Sequence, residues 1–301
     1  MDERIENEKL KAELKIFKLK ALKEKVVLFG IVMLIIAEAL FLLSLFKNSF
    51  GFKKPVNRPY VAVFNLNKTI TVEYIDKLTK RMDALLKDKN CKEFLLIFNT
   101  PGGSPSASDE FNAYLKYVNK KKRVNVYVES MAASGGYYII SAIKPIVANK
   151  NAVVGSIGVI MPHFVIKKLA DKIGIEEDSL AIGKYKQPVS WFRKFTKEDK
   201  EYLKKHLLLP TYENFLKTVA HDRNISLDVL KKYAEGKIFV ASIVKGILVD
   251  KISTLTQTKE DIKKRLGKVE FYDIPLERKR VPFFNIKLSS DIGEALKEFA
   301  K

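Results

Sequence analysis

Cysteine and histidine are scarce in this chain of 301 residues: there is one cysteine, Cys91, and three histidines, His163, His206 and His221. A single thiol removes any intramolecular disulfide framework and any multi-cysteine zinc site. The histidines stand far apart, in no metal-ligand spacing, and offer no obvious Ser-His-Asp triad. Composition therefore argues against a zinc hydrolase or a redox protein, and hydrolytic chemistry has to come from other groups. An internal repeat, a low-complexity tract and a P-loop are also missing. Acidic residues are in deficit, 35 Asp plus Glu against 55 Lys plus Arg, which gives a formal net charge of +20. The hydrophobic content of 47% suffices for a core, and the length suits one large domain or two small ones.

The positive charge belongs to one part of the chain. The first 46 residues hold eight basic and seven acidic groups, so nearly all of the excess lies beyond them. There the bases alternate with acids, as in KLTKRMDALLKDKNCKE, and are not grouped with stacking aromatics. No nucleic-acid partner is expected. A body held close to anionic headgroups, or a generally basic proteome, accounts for the charge.

Residues 26–46 read VVLFGIVMLIIAEALFLLSLF, interrupted only by Gly30, Glu38 and Ser44. Such a run makes about 30 Å of helix, the thickness of a bilayer core, and is expected to be a single transmembrane helix. A cleaved signal peptide fits less well, because the run is long and no small-x-small site follows it. A buried core helix is the alternative. Glu38 falls at mid-span, where it should be protonated or turned toward another helix. Six lysines in residues 11–25 against four basic residues in 47–61 lean toward an N-terminus inside the cell and a body outside. The expected organisation is a charged segment over 1–25, the span over 26–46, a linker over 47–58 and a single soluble body over 59–301.

In that body, apolar runs at 60–66, 93–99, 123–129 and 145–148 read as strands. Helical patterns occupy 71–86, 106–120 and 134–142. This alternation predicts an α/β fold whose parallel sheet is covered on both faces. Residues 197–235 are helical in pattern, with Leu203, Leu207, Tyr212, Phe215 and Val219 as a buried stripe. A strand at KVEFYDI, a basic segment with Pro282 and an amphipathic helix are expected to close the chain.

Three glycine-bearing turns follow strands. Asn99-Thr100-Pro101-Gly102-Gly103 could face backbone N–H groups toward a ligand, or simply reverse the chain. In Ser130-Met131-Ala132-Ala133-Ser134-Gly135-Gly136, Ser134 opens an apolar helix, where it is either an accessible nucleophile or an ordinary N-cap. Val154-Gly155-Ser156-Ile157-Gly158 reads alone as a tight turn. In order and spacing, TPGG, SMAASGGYYI, VGSIGV, GKYK and AEGKIFVASIVKGILVD resemble the signal peptide peptidase SppA family, S49-type serine proteases of Clp-protease/crotonase-like architecture. The resemblance covers about residues 60–251.

The resemblance implies a Ser-Lys dyad with Ser134 as nucleophile, Lys186 of Gly183-Lys184-Tyr185-Lys186 as general base and Ser156 orienting the amine. It places the oxyanion hole on backbone N–H groups of Gly102, Gly103 and Gly135. It implies no cofactor, hydrophobic peptides such as spent signal peptides as substrates, and an inner (plasma) membrane location with the catalytic body on the extracytoplasmic side. It also implies a homo-oligomer of about eight copies in which the dyad is shared between neighbours. Free lysine titrates near 10.4, so a lysine base has to be kept dry, and Lys186 is expected beside Ser134 in an apolar seat. The sequence departs from the family pattern at Thr100, Val154 and Lys237, none of which touches the dyad, and has Asn67-Lys68 where a glycine-bearing turn is usual, which leaves the geometry after that strand open. Two rivals stay open: a catalytically silent membrane scaffold that binds peptides, and a crotonase-type acyl-CoA enzyme.

Overall fold

The computed structural model describes the backbone of residues 2–49 and 58–276, and the side chains of residues 14–41 and 58–276. The chain divides into two units, one of which contains α1 (Asp2–Ser49) and the other Val56–Arg278. The charged segment and the apolar run form this one uninterrupted helix, and the first three residues of the expected linker continue it. Its apolar side chains from Val26 to Phe41 are exposed on every side. Among the described residues no helix is long and apolar enough to cross a membrane. The side chains of the last five residues of the expected span fall outside the described set, as do most of the linker and the expected C-terminal helix.

In the second unit the apolar runs become strands: β1 (Tyr60–Leu66), β2 (Cys91–Thr100), β3 (Val124–Ala133), β4 (Ile146–Ala148), β5 (Val153–Gly155), β6 (Ile238–Val240), β7 (Lys251–Ile252) and β8 (Glu270–Asp273). Between them lie α2 (Val72–Leu86), α3 (Pro105–Lys121), α4 (Gly135–Ile140), α5 (Lys167–Ile173), α6 (Lys197–Leu203), α7 (Leu209–Arg223), α8 (Leu227–Lys231) and α9 (Leu255–Leu266). The strands form one sheet, ordered β6-β5-β3-β2-β1-β8, with β4 branching from β3 and β7 pairing with β4. Every pairing is parallel except that of β5 with β6. The fold is thus α/β with a mostly parallel sheet, and the antiparallel edge departs from the wholly parallel sheet expected.

Alternation along the central strands explains why both faces are covered. Ala62, Phe64, Phe94, Leu96, Phe98, Val126 and Val128 point into the larger core, under α2, α3, α4 and α7. Val61, Val63, Leu95, Ile97 and Tyr127 point the other way, onto Ile262 of α9. Burying each such side chain is worth about 1.5–3 kcal/mol. The 197–235 region is helical but divided. A π-helical turn (Lys204–Leu208) joins α6 to α7, and Asn224, with φ 57°, ends α7. Leu203, Phe215 and Val219 are buried as expected, whereas Leu207, inside the π turn, is rotated out and exposed.

One buried ion pair ties α7 to the sheet. The Arg223 guanidinium meets Asp250 at 2.6 Å and 3.0 Å, and Asp250 also accepts from the Ile146 amide at 2.6 Å. Burial opposes ionisation of Asp250, but the bonds from Arg223 and Ile146 outweigh it and hold the carboxyl below its ordinary range. A carboxyl depressed in the folded state stabilises above its unfolded value, about 3.9, and that contribution is lost as pH falls through the folded value. Urea unfolding should therefore show Asp250→Asn destabilised at pH 7 by on the order of 3 kcal/mol, with the gap to wild type narrowing below about pH 4. An unchanged gap in acid would assign the loss to packing.

Candidate active site

Strand register brings the first two glycine turns together. Thr100 at the end of β2 lies beside Ala132 of β3, after an irregularity between Phe98 and Asn99. The chains that leave both strands then meet. A Cβ built on Gly102 would lie 2.7 Å from the Gly135 nitrogen and 2.8 Å from Ser134 Cβ, so this contact requires glycine. Gly102 and Gly103 have φ of 99° and 155°, and Gly103 is sealed against Ile70 by the bonds Ile70 N to Gly102 O and Ser104 N to Ile70 O, both 2.8 Å.

Ser134 is held in a conformation that serine seldom adopts, φ 52° and ψ −122°. Such backbone costs about 1–3 kcal/mol and has to be enforced by its surroundings. Here the Ser134 amide donates to Gly155 O at 2.9 Å, and the Tyr138 amide donates to Ser134 O at 3.0 Å. The N-cap alternative fails. Thr71, Ser104, Thr196, Ser226 and Thr254 each accept a backbone N–H at the start of their helices, whereas the Ser134 side chain makes no capping bond. Its hydroxyl is half-buried and uncommitted to α4.

The same bond to Gly155 brings in the third turn. β5 pairs with β3 so that Gly155 faces Ala133, and Ser156 follows, also at φ 52° and half-buried. Its amide donates to Lys237 O at 2.7 Å. Ser134 and Ser156 thus occupy adjoining strand ends, both in strained backbone.

The backbone donors divide into two groups. The Gly102 amide is already used, donating to Thr100 Oγ1 at 3.2 Å, and Thr100 Oγ1 itself donates to Lys68 O at 2.6 Å. The amides of Gly103 and Gly135 have no acceptor among the described residues. The nitrogen of Gly103 is 3.3 Å from where a Gly135 Cβ would stand, so the two peptide units are close neighbours.

Lys186 makes no hydrogen bond to Ser134 or Ser156. It lies between α5 and α6, exposed, with its amide donating to Gly183 O at 3.0 Å. Within one chain it is not in the dry seat expected, and its amine has no hydrogen-bond partner among the described residues. α4 is anchored from behind by residues the sequence did not single out. Tyr138 donates its hydroxyl to Asp109 at 2.5 Å, and Asn112 donates to Tyr138 O at 2.8 Å and to Asp222 at 2.9 Å. Asp222, nearly inaccessible, also pairs with Lys116 at 2.6 Å. No periodicity marks these polar contacts, which join α3, α4 and α7 across 26 to 110 residues.

Known proteins bear on this arrangement. A protein of Methanocaldococcus jannaschii named as a candidate protease is 41% identical over 186 residues, 62% of this chain and 58% of that protein. One of Enterococcus faecium, named as a candidate signal peptide peptidase SppA, is 28% identical over 217 residues, 71% of this chain and 62% of that protein. The matched stretch spans less than two thirds of either relative. Among solved structures, a ClpP1 variant from Listeria monocytogenes aligns with 65% of this chain and 92% of that chain, at 15% identity and a TM-score of 0.44. The model of Peptidase family S49 matches residues 116–270, from within α3 to the start of β8, and so takes in Ser134, Ser156 and Lys186. With more than half of its length inside that match, the chain belongs to peptidase family S49.

Proposed function

We propose that this chain is a membrane-anchored serine endopeptidase that cleaves hydrophobic peptides such as spent signal peptides. The observation that carries the reading is Ser134: a strained serine at a helix start whose side chain makes no capping bond, next to turns where the Gly103 and Gly135 amides have no acceptor among the described residues. The Ser134 hydroxyl attacks the scissile carbonyl carbon, and its proton passes to the amine of Lys186. The carbonyl oxygen gains negative charge, which the Gly103 and Gly135 amides stabilise; one such donor is worth about 3 kcal/mol. Lys186 then protonates the leaving amine, and water releases the acyl group from Ser134. Ser156, beside the nucleophile, orients the lysine amine. Gly102 serves by letting the two turns touch.

Because Lys186 is exposed and makes no hydrogen bond to Ser134 within one chain, we propose that the dyad is completed by a second copy, in a ring of about eight. The exposed apolar side chains Phe164, Leu180, Ile182 and Trp191 flank Lys186 in sequence and support an interface between copies on this segment. The apolar part of α1 anchors the chain in the plasma membrane in a single pass, with the catalytic body on the extracytoplasmic side. Tethering there raises the effective concentration of peptides leaving the bilayer.

The pH-rate profile on an apolar peptide tests the dyad. Wild-type kcat/KM should rise with a group titrating well below the free lysine value of about 10.4, and Lys186→Ala should lose that rise. A Lys186→Ala enzyme with the wild-type profile would remove the lysine from the mechanism.

A further inference from the structure

The neighbours of Lys186 are fastened, while its own amine has no hydrogen-bond partner among the described residues. On its N-terminal side Lys184 pairs with Glu198, and the Tyr185 hydroxyl donates to Glu198 Oε1 at 3.1 Å. The Tyr185 ring stacks on Tyr202, centroids 4.1 Å apart and planes within 7°. On its C-terminal side the Gln187 carbonyl accepts from Arg193 at 2.9 Å, and Arg193 pairs with Asp199. Glu198, Asp199 and Tyr202 all belong to α6, whose start is fixed by reciprocal bonds between Thr196 and Asp199. One exposed ion pair contributes little to stability. Here a charge pair, a hydroxyl bond and a ring stack all act on the two residues just before Lys186, and a fourth tie holds the residue after it. That is more restraint than an exposed tight turn needs for its own sake.

We infer that Glu198 is a positioning residue for Lys186: from the first turn of α6 it grips Lys184 and Tyr185 and so fixes the turn that presents the amine to Ser134 of the adjoining copy. The inference rests on the Ser-Lys reading above. The charged and titratable groups facing Glu198 are Lys184, Tyr185 and Asp199. The hydrogen bond from Lys184, then that from Tyr185, holds its carboxyl below the ordinary range, against the repulsion of Asp199. Glu198 is therefore ionised throughout neutral and alkaline pH, and the activity profile there reports the amine.

The test measures kcat and KM on an apolar peptide from about pH 6 to about pH 10 for wild type, Glu198→Ala, Glu198→Gln and Lys186→Ala. For Glu198→Ala, kcat near neutral pH should fall about tenfold with KM within about twofold, and the pH of half-maximal activity should rise by about one unit, because a loosely held amine spends more time in water. Glu198→Gln keeps an acceptor for Tyr185 but not the charge for Lys184, and should recover part of both changes. A Glu198→Ala enzyme with wild-type kcat, or with a loss equal at every pH and an unmoved midpoint, overturns the inference, the latter marking an ordinary structural role. Lys186→Ala separates the two levels. If it stays active the Ser-Lys reading falls; if it is inactive while Glu198→Ala matches wild type, the positioning role falls alone.

Discussion

Ser134→Ala should lose peptidase activity by on the order of 10⁴-fold or more while keeping its fold, because only a hydroxyl that caps nothing is removed. Lys186→Ala should be similarly silent, and mixing the two distinguishes a shared site from a self-contained one. In a ring whose sites each take Ser134 from one copy and Lys186 from the next, random one-to-one mixing leaves about a quarter of the sites with both groups intact. Mixed oligomers should thus recover about a quarter of wild-type activity, far above either parent. A site confined to one chain gives no recovery at any ratio. The readout is hydrolysis of an apolar peptide, with native mass measurement showing that both variants occupy the same assembly. If mixed assemblies form and remain silent, the Lys186 amine does not reach across an interface. Labelling of Ser134 by a fluorophosphonate, present in wild type and absent in Ser134→Ala, separates the peptidase from a silent peptide-binding scaffold.

Strand positions were legible because a strand buried on both faces has to be apolar throughout, and runs such as FLLIF have few other fates. The turns were legible for a related reason: Gly102 and Gly103 carry conformations that side chains resist, so the sequence must spell them out. Contacts set by tertiary placement left no such trace. The hydroxyl of Thr100 takes the Gly102 amide, so of the three expected donors only Gly103 and Gly135 keep amides without an acceptor among the described residues. The antiparallel β6 rests on three residues, too few for a period. Leu207 follows the helical stripe in sequence, yet the π turn shifts its phase. Glu198 acts on residues 13 and 14 positions away, a spacing that belongs to no helix or strand pattern. Position along the chain likewise says nothing about whether Lys186 meets Ser134 in its own chain, since the partner lies on another element.

Gly102→Ala should damage the site strongly although it adds one carbon. The added Cβ meets Ala133 O and Gly135 N at 2.7 Å and Ser134 Cβ at 2.8 Å, and none of these is a flexible side-chain end that could swing away. The two turns have to separate, and with them the Gly135 amide and Ser134. On the proposed mechanism the Gly135 amide is an oxyanion donor, and displacing it should lower kcat on the order of 10²- to 10³-fold, with little change in KM. The φ of 99° adds a conformational cost of about 1 kcal/mol or more. Gly267→Ala provides the control: Gly267 has φ 80°, ends α9, and nothing lies within 4 Å of its would-be Cβ. It carries comparable backbone strain with no crowding, so it should lower the urea midpoint while leaving kcat unchanged. If Gly102→Ala loses only what Gly267→Ala loses in stability and keeps its kcat, the apposed turns are scaffold, and the oxyanion has to be stabilised by other groups.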